Sequence, residues 1–233
     1  MSIRLSFVAS PYLLVGLLVG CGAGNGAGGA GAPATLFSDD FSGSLAAKWI
    51  DVSYPGSTAT SGDADTLGSP PHGNPSPGVW FQGVVLGASA GGGGAIRTSA
   101  TFPSASVTFA ADARYGSGVQ TFAGNYLIFG VYDLNTNALR AAALVLPTKV
   151  VYVIYQGTTA REVTQPAPGG NAFHRFALTI DASGNAAWHR DGAMQQSVTG
   201  FPTGTLYVRV SGPGATDTIS GVGHADNVLV TSP

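Results

Sequence analysis

The chain has 233 residues, of which 9% are charged, a net charge of −2 and a single cysteine. That balance offers no basic footprint for nucleic acid. One cysteine excludes an internal disulfide and a cysteine metal cluster. Charged residues fall well below the usual ~25%, so Thr, Ser, Asn and Gln must keep much of the surface wet. Thirty-five glycines and fourteen prolines suit a turn-rich chain, and no internal repeat is visible.

Residues 1–20 read as a signal segment. Arg4 supplies a short positive start, and residues 5–19 are apolar but interrupted by Ser6, Ser10, Pro11 and Gly16. A membrane span needs about 20 apolar residues, whereas a shorter broken run suits secretion. The run ends in Leu18-Val19-Gly20-Cys21, which resembles the bacterial lipobox. The resemblance implies that Cys21 is lipidated and becomes the new N-terminus. Lipid chains contribute on the order of 0.8 kcal/mol per buried methylene, so several of them anchor a protein. Gly22 follows, without an aspartate beside the cysteine, as in lipoproteins passed to the outer membrane. Residues 21–34 then form a Gly/Ala tether with no charge and no periodicity, too poor in apolar side chains to build a core.

The domain is expected over residues 35–233. Hydrophobic runs recur there at 36–41, 48–52, 79–86, 95–102, 106–115, 126–134, 138–146, 150–156, 173–180, 186–190, 206–211 and 227–231. Gly, Pro, Asn, Asp and Ser separate them, and no long amphipathic pattern intervenes. Short strands at this spacing predict an all-β, antiparallel two-sheet jelly-roll sandwich. Leu134 to Asn137 reads as the turn of a hairpin between the runs ending at Val131 and beginning at Leu139. About 200 residues are enough for such a domain to bury a core without disulfides.

Residues 173–192, FHRFALTIDASGNAAWHRDG, give the clearest local signal. His174, Phe176, Leu178 and Ile180 alternate with Arg175, Ala177 and Thr179, the period of a strand with one buried face. Asp181 to Asn185 supplies turn chemistry, and Asp191-Gly192 a second tight turn. The segment resembles the penultimate hairpin of concanavalin A-like lectins and glucanases. Phe37 to Gly43 with Lys48-Trp49 resembles the opening of such jelly rolls, and Ala225 to Val230 their closing strand. The resemblance implies that the first and last strands lie side by side, with Trp49 and Trp188 in the core. It also raises a structural calcium held by Asp39, Asp40 and Asp226, since calcium takes six to eight oxygens; capping of turns is the commoner role for such aspartates. Asp63 and Asp65 lack the pattern of a calcium loop and read as solvated.

Glucanases of this fold resemble one another in an E-x-D-x-x-E strand whose glutamates act as nucleophile and general acid. Retention needs two carboxylates about 5 Å apart, inversion a wider gap. That motif is absent. The domain has one glutamate, Glu162, and Asp112 and Asp133 are the substitutes to consider. Nor do His72, His174, His189 and His224 show metal-ligand spacing; His174 falls on the apolar face of its strand. No catalytic residue is assigned.

Carbohydrate binding needs aromatic rings and polar groups on a rigid frame. With Leu127, Phe129 and Val131 facing the core, Tyr126 and Tyr132 project from the other face. Arg140 and Tyr152 join them if the following strands pair in simple succession, and Trp80 offers a loop platform. The expected function is a membrane-anchored, non-catalytic polysaccharide-binding module of the cell envelope. The alternatives are a divergent glycoside hydrolase or lyase of the same fold, and a structural envelope protein without a small ligand.

Overall fold

The computed structural model describes residues 32–53, 58–62, 78–82, 84–85, 91–92, 94–115, 127–146, 148–168, 172–212 and 222–233. Cys21 and Tyr126 lie outside them. The first strands are β1 (Ala34–Asp39), β2 (Trp49–Asp51), β3 (Thr58–Gly62), β4 (Gly78–Gln82), β5 (Val84–Val85), β6 (Gly91–Gly92), β7 (Ala95–Thr98), β8 (Phe102–Pro103) and β9 (Val107–Tyr115). They are followed by β10 (Leu127–Asp133), β11 (Leu139–Val145), β12 (Lys149–Gln156), β13 (Thr159–Pro166), β14 (His174–Ile180), β15 (Ala186–Arg190), β16 (Ala193–Val198), β17 (Thr205–Ser211) and β18 (Val222–Ser232). The first sheet runs β16-β15-β14-β9-β18-β4-β3, with β1 also on β18. The second runs β13-β12-β11-β10-β17-β7-β2, with β8 on β17, while β5 and β6 pair separately. The fold is thus an antiparallel two-sheet jelly roll, and its first and last strands pair, Asp39 opposite Val228.

Alternation sets the two inner faces. β14 buries Phe176, Leu178 and Ile180, and β10 buries Leu127, Phe129 and Val131. β11 contributes Ala141 and Ala143. Ala143 stands between Phe129 on β10 and Tyr152 on β12, so a small side chain leaves space for rings on both sides. Tyr152 then packs near Phe176 and Trp188, with ring centroids 6.4 and 6.2 Å away. The indole N–H of Trp188 donates to the carbonyl of Val153 at 3.1 Å, tying the first sheet to the second. A buried indole needs such a partner, because an unpaired donor carries its whole desolvation cost.

The Asp39–Phe41 corner shows local chemistry overriding backbone preference. Phe41 has φ +56°, a region that bulky residues avoid. Its N–H donates to Asp39 Oδ1, and the other Asp39 oxygen accepts the Trp49 indole. Phe41 is thereby held buried and stacked on Trp49 at 5.5 Å. Strain of about 1–3 kcal/mol is typical of such a conformation, and here buried aromatic contacts offset it.

The tight turns follow their sequences. Asp181 accepts the N–H groups of Ser183 and Asn185, both at 2.8 Å, while Gly184 takes φ +76°. Asp191 and Gly192 both have positive φ, the geometry that joins strands with the right twist. Burial works to raise the Asp191 carboxyl. Hydrogen bonds from His174, whose Nδ1 lies 2.7 Å away, and from the Arg175 N–H outweigh it and hold the carboxyl below its ordinary value.

Candidate functional site

The outer face of the second sheet gathers aromatic and cationic groups. On β10 the residues alternating with the core are Ile128, Gly130 and Tyr132, and their partners on β17 are Ser211, Arg209 and Tyr207. Arg97 on β7 lies opposite Arg209, and Ile50 on β2 lies opposite Arg97. Tyr132 and Tyr207 stack at 5.5 Å with their planes 14° apart. Gly130 makes room for this, because a Cβ there would sit 2.8 Å from the Tyr132 ring. Arg209 lies 5.6 Å from the centre of the Tyr132 ring, and Arg97 lies 5.2 Å from that of Tyr207. Such cation–ring contacts are worth about 0.5–2 kcal/mol each, depending on exposure.

The Tyr207 hydroxyl donates to Asn137 Oδ1. Burial pushes the Tyr207 phenol above its ordinary value, with Arg209 and Arg97 pulling the other way. The phenol stays protonated at neutral pH and can serve as that donor. Asn137 is placed by the β10–β11 turn, where its φ is +55°. In the same turn Asp133 Oδ1 accepts the N–H groups of Asn135 and Thr136, both at 3.0 Å. Arg97, Arg209, Tyr207 and Asn137 line a cleft of about 410 Å³ together with Val52 and Leu134. Leu134, 39% exposed, adds apolar surface there.

Several expected positions change. Tyr152 is fully buried, which corrects its assignment to the outer face. The pairing Ala143↔Tyr152 puts it in step with Phe129 rather than with Tyr132. Burial raises its phenol to about 12. Tyr132 does lie on the outer face, but it is only 9% exposed, covered by its neighbours rather than presented as a bare platform. Arg140 falls at an irregularity in the β10–β11 register and bonds Asp133 Oδ2 at 2.9 Å. Trp80 belongs to β4 of the first sheet, opposite His224, and not to a loop beside the tyrosines. Arg97, Tyr207, Arg209 and Asn137 escaped the sequence reading, although Tyr207 and Arg209 alternate visibly with Leu206, Val208 and Val210.

Asp112, Asp133 and Glu162 do not converge, although Asp226 of β18 lies directly opposite Asp112 of β9. Asp112 belongs to the first sheet, where its two oxygens accept from Arg175 at 3.0 Å and Asn227 at 2.9 Å. Asp133 ends β10 of the second sheet, and Glu162 is exposed on the border strand β13. For calcium, the sequence grouped Asp39, Asp40 and Asp226. Asp39 is taken up by Trp49 and Phe41, Asp40 bonds Ser42, and Asp226 Oδ1 accepts the N–H of Asn227 at 2.6 Å. Among the described residues, no three His, Cys, Asp or Glu side chains stand together in a way that would hold a metal.

No protein-family model and no curated protein matches the chain. Solved structures do. A Bacillus licheniformis β-glucanase superposes with a TM-score of 0.58 at 14% identity, over 88% of this chain and 100% of that one. A Bacteroides ovatus GH16 protein of a mixed-linkage glucan locus, solved with a product, gives 0.56 at 16%, over 84% and 99%. A Mycobacterium tuberculosis protein described as a pseudo-β-1,3-glucanase gives 0.54 at 12%, over 85% and 99%. The class is therefore the concanavalin A-like jelly roll that the GH16 glucanases share. Identities this low speak for the fold alone.

Proposed function

We propose that the protein is a non-catalytic polysaccharide-binding module, tethered to the bacterial cell envelope through a lipid on Cys21. The observation that carries the reading is the cleft on the outer face of the second sheet. There Arg97, Arg209, Asn137 and the Tyr207 hydroxyl bring hydrogen-bonding groups together on a rigid antiparallel frame, beside apolar Leu134 and Val52. Sugar recognition draws on that mixture of polar and apolar contacts. The neighbours support it as company: one was solved with an oligosaccharide product, another is described as a pseudo-glucanase. Hydrolysis through a pair drawn from Asp112, Asp133 and Glu162 finds no support, because they lie on three strands of two sheets, and Asp112, opposite Asp226, is held by Arg175 and Asn227.

Binding and turnover are measured together on β-glucans and other envelope glycans. The expected outcome is saturable binding without reducing-sugar release. Turnover that disappears on changing Glu162, Asp112 or Asp133 would establish the hydrolase instead, and no binding to any glycan would favour a structural envelope role. The anchor has its own test. Cys21→Ser removes the thiol that accepts the lipid, so incorporation of a radioactive fatty acid should fall to background. Equal labelling of the wild type and the variant would refute the anchor.

A further inference from the structure

Arg97 and Arg209 are cross-strand partners. Like charges directly opposite one another on a sheet repel and lower stability, so a fold usually places an acid between them or replaces one of them. Among the described residues, neither arginine has a carboxylate partner. The ion pair at the β10–β11 turn belongs to other residues, Arg140 with Asp133. Arg209 uses its Nε on Ser211 Oγ at 3.0 Å, and among the described residues its terminal nitrogens have no such bond. Both guanidiniums are held in place over the Tyr132–Tyr207 stack and line the same cleft. This is a positive seat in a chain whose net charge is −2.

Resting on the polysaccharide-binding reading, we infer that the preferred ligand is an anionic glycan, with a sugar carboxylate or sulfate received by Arg97 and Arg209 together. Guanidinium is planar and donates in pairs, which matches either oxyanion. An anion between the two arginines supplies a counter-charge to both. Asn137, bonded through its oxygen to Tyr207, keeps its amide N–H groups for neighbouring sugar hydroxyls. Leu134 and Val52 offer apolar surface to the carbon side of the ring.

The test uses the full chain in detergent with three polymers: polygalacturonate for carboxylate, dextran sulfate for sulfate, and a neutral mixed-linkage β-glucan. At least one anionic polymer should bind about tenfold or more tightly than the neutral one, the scale of one charge-assisted contact. The Arg97→Gln/Arg209→Gln double variant should lose that preference, its anionic affinity falling about tenfold or more to the level of its neutral affinity. A melting curve checks that the variant folds, because the change removes a like-charge opposition and two cation–ring contacts together. Wild-type protein alone gives a second readout: raising NaCl from about 0.05 M to about 0.5 M should weaken anionic binding and leave neutral binding unchanged. A preference for polygalacturonate that vanishes near pH 3 identifies the carboxylate, and one for dextran sulfate that persists there identifies the sulfate. Equal, salt-independent binding of neutral and anionic polymers would overturn the inference while the polysaccharide reading stands. An anionic preference that survives in the double variant would also overturn it. Failure to bind any of the three would remove both.

Discussion

Gly130 is the residue on which the candidate face depends most directly. Its lack of a Cβ lets the Tyr132 ring fold back over the strand, where any Cβ would stand 2.8 Å from a ring carbon and 3.4 Å from side-chain carbons of Ile128 and Leu139. The ring has little freedom to move, being stacked on Tyr207 and faced by Arg209. Gly130→Ala should therefore cost about 1–3 kcal/mol, the range for adding a methyl to a packed site. It should also lower glycan affinity by displacing Arg209. Denaturant unfolding with parallel binding curves checks both, and a variant of unchanged stability and affinity would mean that the rings are free to shift. None of this is legible in the sequence. A glycine between Phe129 and Val131 reads as a weak point in a strand, because its purpose lies in a side chain two residues away and a partner strand far along the chain.

At the scale of the element, turns and inner strands are readable in the sequence, while the polar border strands β13 and β16 are not. The hairpin of β14 and β15 appears where Asp181, Gly184, Asp191 and Gly192 predict it, since turn chemistry is local. β13 and β16 are not legible in the sequence because TAREVTQP and AMQQSV show no apolar alternation. Each is the last strand of its sheet, largely exposed, and polar side chains are what a border strand tolerates. Gln196 of β16 donates to the carbonyl of Arg161 in β13 at 2.7 Å, so the two borders meet along polar contacts. The closing strand expected over Ala225 to Val230 extends to Val222–Ser232 as β18, with an irregularity between Asp226 and Leu229 that breaks its period. The β10–β11 turn yields a pH prediction. The Arg140 guanidinium, with the Thr136 N–H and hydroxyl, holds the Asp133 carboxyl down to about 2 from an ordinary 3.8. A lowered carboxyl stabilises the fold above its unfolded value, and that contribution is lost as pH falls through about 4 towards about 2. Asp133→Asn should cost roughly 1–2 kcal/mol at neutral pH and flatten stability across that window. Parallel pH profiles for the two proteins would refute the assignment.

At the scale of the whole molecule, the sandwich decides which tyrosine is core and which is face, and strand order alone could not. The alternation within Lys149–Gln156 is sound, but its phase relative to β10 depends on register. The irregularity near Arg140 moves that register by one residue, and a one-residue slip exchanges the two faces. Three alanines in a row at 141–143 also hid which side of β11 was inward. The structure resolves the matter through volume: Ala143 leaves the space that Tyr152 fills, among Phe129, Phe176 and Trp188. Tyr152→Ala should therefore behave as a core deletion. Removing a large buried aromatic side chain costs about 3–5 kcal/mol, and here the loss loosens both sheets, because Trp188 packs on Tyr152 and bonds Val153 across the sandwich. Denaturant unfolding should show that loss. The fraction still folded should bind glycan as the wild type does, since Arg97, Arg209 and Tyr207 lie on the opposite side of the second sheet. Weakened binding at unchanged stability would return Tyr152 to the ligand face and contradict the register drawn from Ala143.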